Sequence, residues 1–560
     1  MRGGRTFCGR TGRRAALAVV ACWLGGALLA GCGGEVEGRA DEGAGGGPVY
    51  GDTLVHSHIA DISGLIPNIT ADAASHEVGN RIYDALITND RELNWQGQLA
   101  ESWEFSADCR ELTFKLRRDV KWHDGQPFTA EDVRFTYEAM IHPKTPTAYR
   151  DDFLQVKDVQ VVDPHTVRVS YDKPHARALE TWGMNMLPKH LLARAVADGK
   201  LKEAPQNSTQ PVGTGPYRFR EWKSGEKIVL VANPDYYGGR PYIGRRVYRV
   251  IPSQGTIFLE LKARGVDLSS LTALQYVRQT EYPAFRRHYH RYKYPSPGFT
   301  YLGLNLKDPR FADLRVRQAF AHAINKQELV DGVVLGMARD ATGPIRPGTW
   351  AWTDKVKRYD YSVEKARALL AAAGWRDKNG DGILEDEHGK PFKFTIRTNQ
   401  GNEERKKVAE IMQQRLKEVG VSTEIQIIEW SAFIKEFIRK RRFEAIVMGW
   451  AVPVDPDQYV LWHSAESRPE GLNHIQYANP RVDALLEAGR SSCVRTERLR
   501  HYHELQEVLA ADLPVIFLYF RDGLVAVASR VRGVDPGPAG ILHNMEQWYV
   551  PRALQRYTSG

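Results

Sequence analysis

The spacing of hydrophobic and polar residues changes along this chain, and the change divides it. Across residues 99–120, Trp103, Phe105, Leu112, Phe114 and Leu116 alternate with polar neighbours, the period-2 pattern of paired strands. His123-Asp124-Gly125 follows with Asp-Gly turn chemistry. Thr129-Ala130-Glu131-Asp132 is a capping box, and the helix it opens places Val133, Tyr137 and Met140 on one face. A further strand pair is expected around residues 158–171. Gly213, Gly215 and Pro216 break the pattern before residues 217–222. The second half alternates differently. A strand at 392–398 precedes a helix at 403–419, whose Val408, Ile411, Met412 and Leu416 share a face and which Gly420 ends. A strand at 421–428, a helix capped by Ser431 and carrying Ile434, Phe437 and Ile438, and a strand at 443–450 follow. Such alternation predicts parallel βαβ units. Helices at 480–490 and 497–511 lead to an apolar strand at 515–520. The body is thus β-rich first and α/β second.

The first thirty residues follow another pattern. Arg2, Arg5, Arg10, Arg13 and Arg14 precede an apolar run over about residues 15–30, with no acid in the stretch. That run is shorter than the ~20 residues of a membrane-spanning helix, and a basic region, a short apolar region and small residues make a secretory signal over 1–31. Leu29-Ala30-Gly31-Cys32 resembles a bacterial lipobox, which implies a diacylated Cys32 as mature N-terminus. Residues 32–49 are rich in glycine and small or charged residues and read as a flexible tether of roughly 20 Å. The expected location is outside the cytoplasm, periplasmic or at the cell surface, held to a membrane by the lipid anchor only.

Composition narrows the classes. The chain has 560 residues, 42% hydrophobic and 26% charged, which suits two or three folded domains. Its formal charge is +9; five of those charges are the leading arginines, so the remainder carries about +4 and gives no sign of nucleic-acid binding. Cys8 and Cys22 fall in the signal. Cys109 and Cys493 remain in the body, where an oxidising compartment would permit a bridge. No Cys-x-x-Cys, Gly-x-Ser-x-Gly or His-Glu-x-x-His occurs, and no catalytic spacing supports an enzyme.

Longer motifs add a resemblance. They are Leu99-Ala100-Glu101-Ser102-Trp103; the run from Phe114-Lys115-Leu116 through Lys121-Trp122-His123-Asp124-Gly125-Gln126-Pro127-Phe128-Thr129; Pro211-Val212-Gly213-Thr214-Gly215-Pro216-Tyr217; Leu314-Arg315-Val316-Arg317-Gln318-Ala319-Phe320; Ala373-Gly374-Trp375; and Gly449-Trp450 with Asp455-Pro456-Asp457. Together, from about residue 50 to the C-terminus, they resemble family 5 extracellular solute-binding proteins, the peptide- and nickel-type receptors of ABC importers. The resemblance implies an α/β, two-lobed periplasmic-binding-protein-like fold (class II type) with an extra β-rich subdomain inserted in the first lobe. Lobe I would cover 50–298, with the subdomain at about 88–212, lobe II 299–512, and 513–560 would return to lobe I. His123 and Asp124 read as a turn into the capped helix rather than as ligands.

The same resemblance implies a monomeric receptor that closes on an oligopeptide-like solute and hands it to ABC permease subunits. Asp72, Ala73 and Ala74 would form one wall and Gly449, Trp450 and Ala451 the other, with Tyr301 close by and Trp430 and Trp462 as further aromatic candidates. Many peptide binders carry an aspartate shortly after the Gly-Trp pair, for the ligand's α-amino group. Here Val452 or Pro453 falls at that place. Asp455 is the nearest substitute, since a carboxylate in a closed cleft pairs strongly with an ammonium; it equally suits capping of the following turn. Other solutes, a nickel chelate, a tetrapyrrole or an oligosaccharide, stand as alternatives, and an exported hydrolase as a more distant one. His288 and His290 form a close pair that surface strand positions explain as well. Asp377, Asn379 and Asp381 match the opening of a calcium loop, but the twelfth position is His388, and Glu385, Asp386 or Glu387 would serve only with altered geometry. The reading favoured is a polar turn and no cofactor.

Overall fold

Strand Gly51–His58 is buried over nearly its whole length, as expected of a strand paired on both edges. The computed structural model describes residues 47–452, 455–492 and 494–557. The signal, Cys32 and most of the tether lie outside the described residues, as does Cys493, and with it the bridge to Cys109. Gly51–His58 runs parallel to Ile243–Val250, which continues antiparallel into Lys227–Ala232 and then Tyr217–Lys223. Leu268–Ser270 lies on its other edge. These strands form the first-lobe end of an eleven-stranded sheet. At the opposite end Lys393–Asn399 pairs in parallel with Ser422–Ile428 and with Ala445–Trp450, the predicted βαβ arrangement.

Two long antiparallel strands, Tyr289–Leu304 and Val515–Ala528, join the ends. Residues 289–295 pair with 522–528, and residues 299–303 with 515–520. The register shifts between Pro295 and Phe299 and again between Thr300 and Tyr301. Proline has no N–H for a ladder and a bulge bends its strand, so Pro295-Ser296-Pro297-Gly298 interrupts the sheet where the lobes meet. The last strand does not stop near 520, as its apolar run suggests. It continues through Arg521-Asp522-Gly523, and the crossing between lobes falls there.

The inserted subdomain is a four-stranded sheet, in spatial order Ala100–Phe105, Glu111–Leu116, Thr166–Tyr171 and Val156–Asp163. Leu112, Phe114, Leu116, Trp122, Val133, Met140 and Trp182 fill its core. Trp103 and Phe105, opposite Phe114 and Leu112 on the edge strand, share their face and are half-buried and exposed there. Helix Ala130–Ile141 carries the expected box: the Thr129 N–H donates to Asp132 Oδ2 at 3.0 Å, and Thr129 Oγ1 accepts from the Glu131 N–H at 3.3 Å. In the second lobe Ser431 is not a cap. The Glu429 carboxylate accepts from the Ser431 and Ala432 N–H groups at 2.8 and 2.9 Å, since an acid at the helix start reaches two free amides at once.

His123 is structural. Its Nε2 donates to the Gly215 carbonyl at 2.9 Å while Nδ1 accepts from the Gly213 N–H at 3.3 Å, and burial pulls the imidazole down to about 4. The turn it holds packs on the end of helix Ala73–Ile82: a Cβ at Gly213 would sit 1.8 Å from the Ile82 carbonyl oxygen. At the far side of the first lobe Arg530 is buried between two strand starts. It donates to Asp267 through Nε (2.9 Å) and a terminal nitrogen (2.7 Å), to the Thr53 carbonyl at 2.8 Å, and to Asp52.

Candidate ligand cleft

A cavity of about 1810 Å³ lies between the lobes. Its first-lobe wall starts at helix Ala73–Ile82. Asp72 caps this helix, accepting from the Ser75 N–H at 2.9 Å, the Ser75 hydroxyl at 2.8 Å and the Ser63 hydroxyl. Its carboxylate is thereby committed, and the wall there is the helix start with Ala73. The opposite wall is the end of strand Ala445–Trp450. On one edge this strand pairs with the long strand through Phe299–Trp450; on the other, the ladder with Lys393–Asn399 stops at Arg397–Ile446. The backbone of 448–451 therefore reaches the cavity beyond its last sheet neighbour on that edge. Trp450 stacks on His474 with ring centroids 5.4 Å apart, and burial takes His474 down to about 3. Trp430 completes this wall.

Six of the ten expected residues, Asp72, Ala73, Trp430, Gly449, Trp450 and Ala451, line the cavity. Four lie off it, each for a visible reason. Ala74 packs with the apolar cluster behind the first helix. Tyr301 points into the second-lobe core, its ring 5.8 Å from that of Phe299. Trp462 is buried on Phe517 and donates to Gln458 Oε1 at 2.8 Å. Asp455 is taken by Arg498 at 2.6 Å. His288 and His290 are not on the cavity wall.

Groups that the local patterns do not reveal bridge the cleft. Arg490, 4% exposed, binds Asp457 of its own lobe at 2.8 Å and Asp152 of the inserted subdomain at 3.0 Å. Its carbonyl accepts from the Ala176 N–H at 2.7 Å. Arg468 reaches Asp151 at 3.3 Å and Glu466 at 3.4 Å. Burial and the facing Asp151 carboxylate push Glu466 up to about 9, while Arg468 and the Glu466 proton hold Asp151 below its usual range. The structure is therefore a closed one, with polar groups of the two lobes joined across the gap. Elsewhere on the wall burial raises Asp84 to about 7, although Gln98, Tyr237 and Thr214 donate to it. Arg405, fully enclosed, is lowered to about 10.

Two clusters of metal-ligating groups stand among the described residues. Asp377, Asp381 and Glu385 converge on the surface turn, and their oxygens accept from the Gly380, Gly382, Ile383 and Lys378 N–H groups at 2.7 to 3.0 Å, which braces the turn. The other is His56, His58 and Glu77, under the cavity floor. Its one sequence signal is the His56-Ser57-His58 alternation, which puts both rings on one strand face.

Comparison with known proteins agrees with this geometry. Residues 94–471 match the family described as bacterial extracellular solute-binding proteins, family 5 Middle. The oligopeptide-binding protein AppA of Bacillus subtilis is 32% identical over 90% of this chain and 93% of its own length. Its structure with a nonapeptide superposes with a TM-score of 0.86, at 32% identity over 90% of this chain and 99% of that one. NikZ of Campylobacter jejuni, solved with Ni(L-His), gives 0.80 at 28% identity, over 89% of this chain and 99% of that one. With two lobes, a closed cleft between them and this match along most of its length, the chain belongs to family 5 of the bacterial extracellular solute-binding proteins.

Proposed function

We propose that this protein captures an oligopeptide-like solute between its lobes and delivers it, unchanged, to the permease of an ABC importer. The size of the cleft carries the reading: about 1810 Å³ exceeds the roughly 300–1,000 Å³ of a pocket built for one small molecule. An extended ligand fits a wall made of strand backbone, because main-chain hydrogen bonding supplies affinity without reading side chains. Asp455 is held by Arg498 and Asp457 by Arg490, so neither carboxylate is free for a ligand's α-amino group; backbone pairing then outweighs amine capture, and the range of acceptable solutes is broad. The nonapeptide bound by the Bacillus relative supports this reading. Lobes that close on a solute release it by reopening, and the ligand stabilises the closed form only by its differential affinity.

The rest of the reading concerns place and partners. Cys32 carries the lipid that tethers a monomer to the membrane outside the cytoplasm; among the described residues no helix is long and apolar enough to cross one. The protein performs no catalysis, and the 377–388 segment acts as a turn rather than a calcium site. Native mass spectrometry of freshly purified protein tests the central claim. A ladder of co-purifying peptide masses is expected. A single non-peptide solute, or peptides consumed on incubation, would overturn it.

A further inference from the structure

Beneath the first-lobe wall, strand Gly51–His58 and helix Ala73–Ile82 bring three ligating side chains together. His56 and His58 are 8% and 7% exposed. Their rings stand edge to face with centroids 4.9 Å apart. Glu77 lies opposite and also lines the cavity. Its Oε1 is 2.8 Å from His56 Nδ1, and its Oε2 is 3.4 Å from His58 Nε2. These contacts are close, yet His56 Nδ1, both ring nitrogens of His58 and Glu77 Oε1 have no hydrogen-bond partner of acceptable geometry. Buried polar atoms of native proteins are nearly always satisfied, and an ion is one of the few explanations for a cluster that is not.

From this arrangement we infer that His56, His58 and Glu77 form a binding site for one divalent transition-metal ion of the zinc class. The donor set is two imidazoles and a carboxylate, a combination that suits zinc and its first-row neighbours rather than calcium or magnesium. One ligand atom from each residue lies within 4.8 Å of the others. An ion with bonds of roughly 2.0–2.2 Å keeps tetrahedral ligand atoms about 3.3–3.6 Å apart; the 3.4 Å from His58 Nε2 to Glu77 Oε2 falls in that range, and the 2.8 Å from His56 Nδ1 to the other carboxylate oxygen would have to widen. Among the described residues no arginine forms an ion pair with the Glu77 carboxylate. Arg246, on the adjacent strand, lies over the rings of Tyr217 and Tyr248, 5.6 and 5.3 Å from their centroids, and Arg81 is paired with Glu546 at 2.7 Å. Three protein ligands leave a fourth position, and Glu77 lines the cleft. A bound ion would pin the first strand to the first helix at the floor of the cavity.

The test uses untagged mature protein, stripped with chelator and titrated with Zn²⁺ alone. The expected result is one zinc per chain retained through gel filtration, a raised melting temperature, and an X-ray absorption spectrum with two imidazole shells. A His56→Ala/His58→Ala variant loses the retained zinc. A His288→Ala/His290→Ala variant and an Asp377→Asn/Asp381→Asn variant keep it. No zinc retained by the wild type, or an absorption spectrum without imidazole, overturns the site whether or not the variants fold. Unchanged retention in a folded His56→Ala/His58→Ala variant does so too.

Discussion

Replacing Asp152 by asparagine should open the cleft. Asp152 accepts from Arg490 across the gap at 3.0 Å and lies 3.2 Å from Arg177 on its own side. Its side chain is 14% exposed, so solvent screens the contact only in part. A hydrogen bond to a charged partner contributes about 1.5–3 kcal/mol. Asparagine keeps one acceptor and loses the charge, which places the expected cost toward the lower end. The cross-lobe contact exists only in the closed form, so its loss falls on the open–closed equilibrium. At about 1.4 kcal/mol per tenfold, the closed-to-open ratio drops roughly 10- to 150-fold. Small-angle scattering of wild type and Asp152→Asn, each with and without a tryptic peptide mixture, reads this as a larger radius of gyration. Faster dissociation of a fluorescent peptide is the kinetic counterpart. Asp172→Asn is the control, because Asp172 pairs with Lys157 on the open surface, 77% exposed, where such pairs contribute little. The reasoning fails if a folded Asp152→Asn protein matches wild type in both scattering and release rate.

Other outcomes follow from the same contacts. Gly213→Ala drives a methyl to within 1.8 Å of the Ile82 carbonyl oxygen; backbone must move, and denaturant unfolding should show a loss of about 3 kcal/mol or more. Arg530→Met strips the cation from buried Asp52 and Asp267. A loss of about 3–5 kcal/mol is expected, and a midpoint within experimental scatter of wild type would refute the account of that cluster. For Glu466, raised in the folded state to about 9, the folded protein holds the proton more tightly than the unfolded chain. Its contribution is complete below the usual carboxylate range and fades as pH rises toward about 9. Glu466→Gln should therefore gain stability over wild type progressively from pH 5 to 9, and a pH-independent difference would contradict the raised Glu466 carboxyl. Trp450→Ala removes the ring that stacks on His474 at the cavity wall, and the thermal shift produced by peptide should shrink.

What could be read along the chain was what neighbouring residues decide. Thr129 and Asp132 lie three positions apart, so their capping box is visible before any fold is known, and the parallel units after residue 392 follow from a period change within short windows. The hinge was not legible, because Arg521-Asp522-Gly523 has the composition of a turn. Only the ladder with 289–295 shows that the strand runs through it. Tyr301, placed by motif position, and Trp462, placed by aromatic type, have rings that satisfy the second-lobe core, whereas Trp450 stands at a strand end with the cavity before it. Asp455 looked available because Arg498 is remote in sequence. Asp152 and Arg490 are 338 positions apart, and no local pattern could have joined them.

The strand Val515–Ala528 lies between Tyr289–Leu304 and Leu268–Ser270 in the sheet, yet it follows both in sequence by more than 200 residues. A polypeptide emerging from its N-terminus has nothing to fill that interior slot until this strand arrives. Arg530, which ties Asp52 to Asp267, comes later still. Early sections can form helices and the inserted four-stranded sheet, but the main sheet stays incomplete and its edges unsealed. Such dependence on distant pairings gives slow, late-committing assembly, so completion of the sheet waits on this strand.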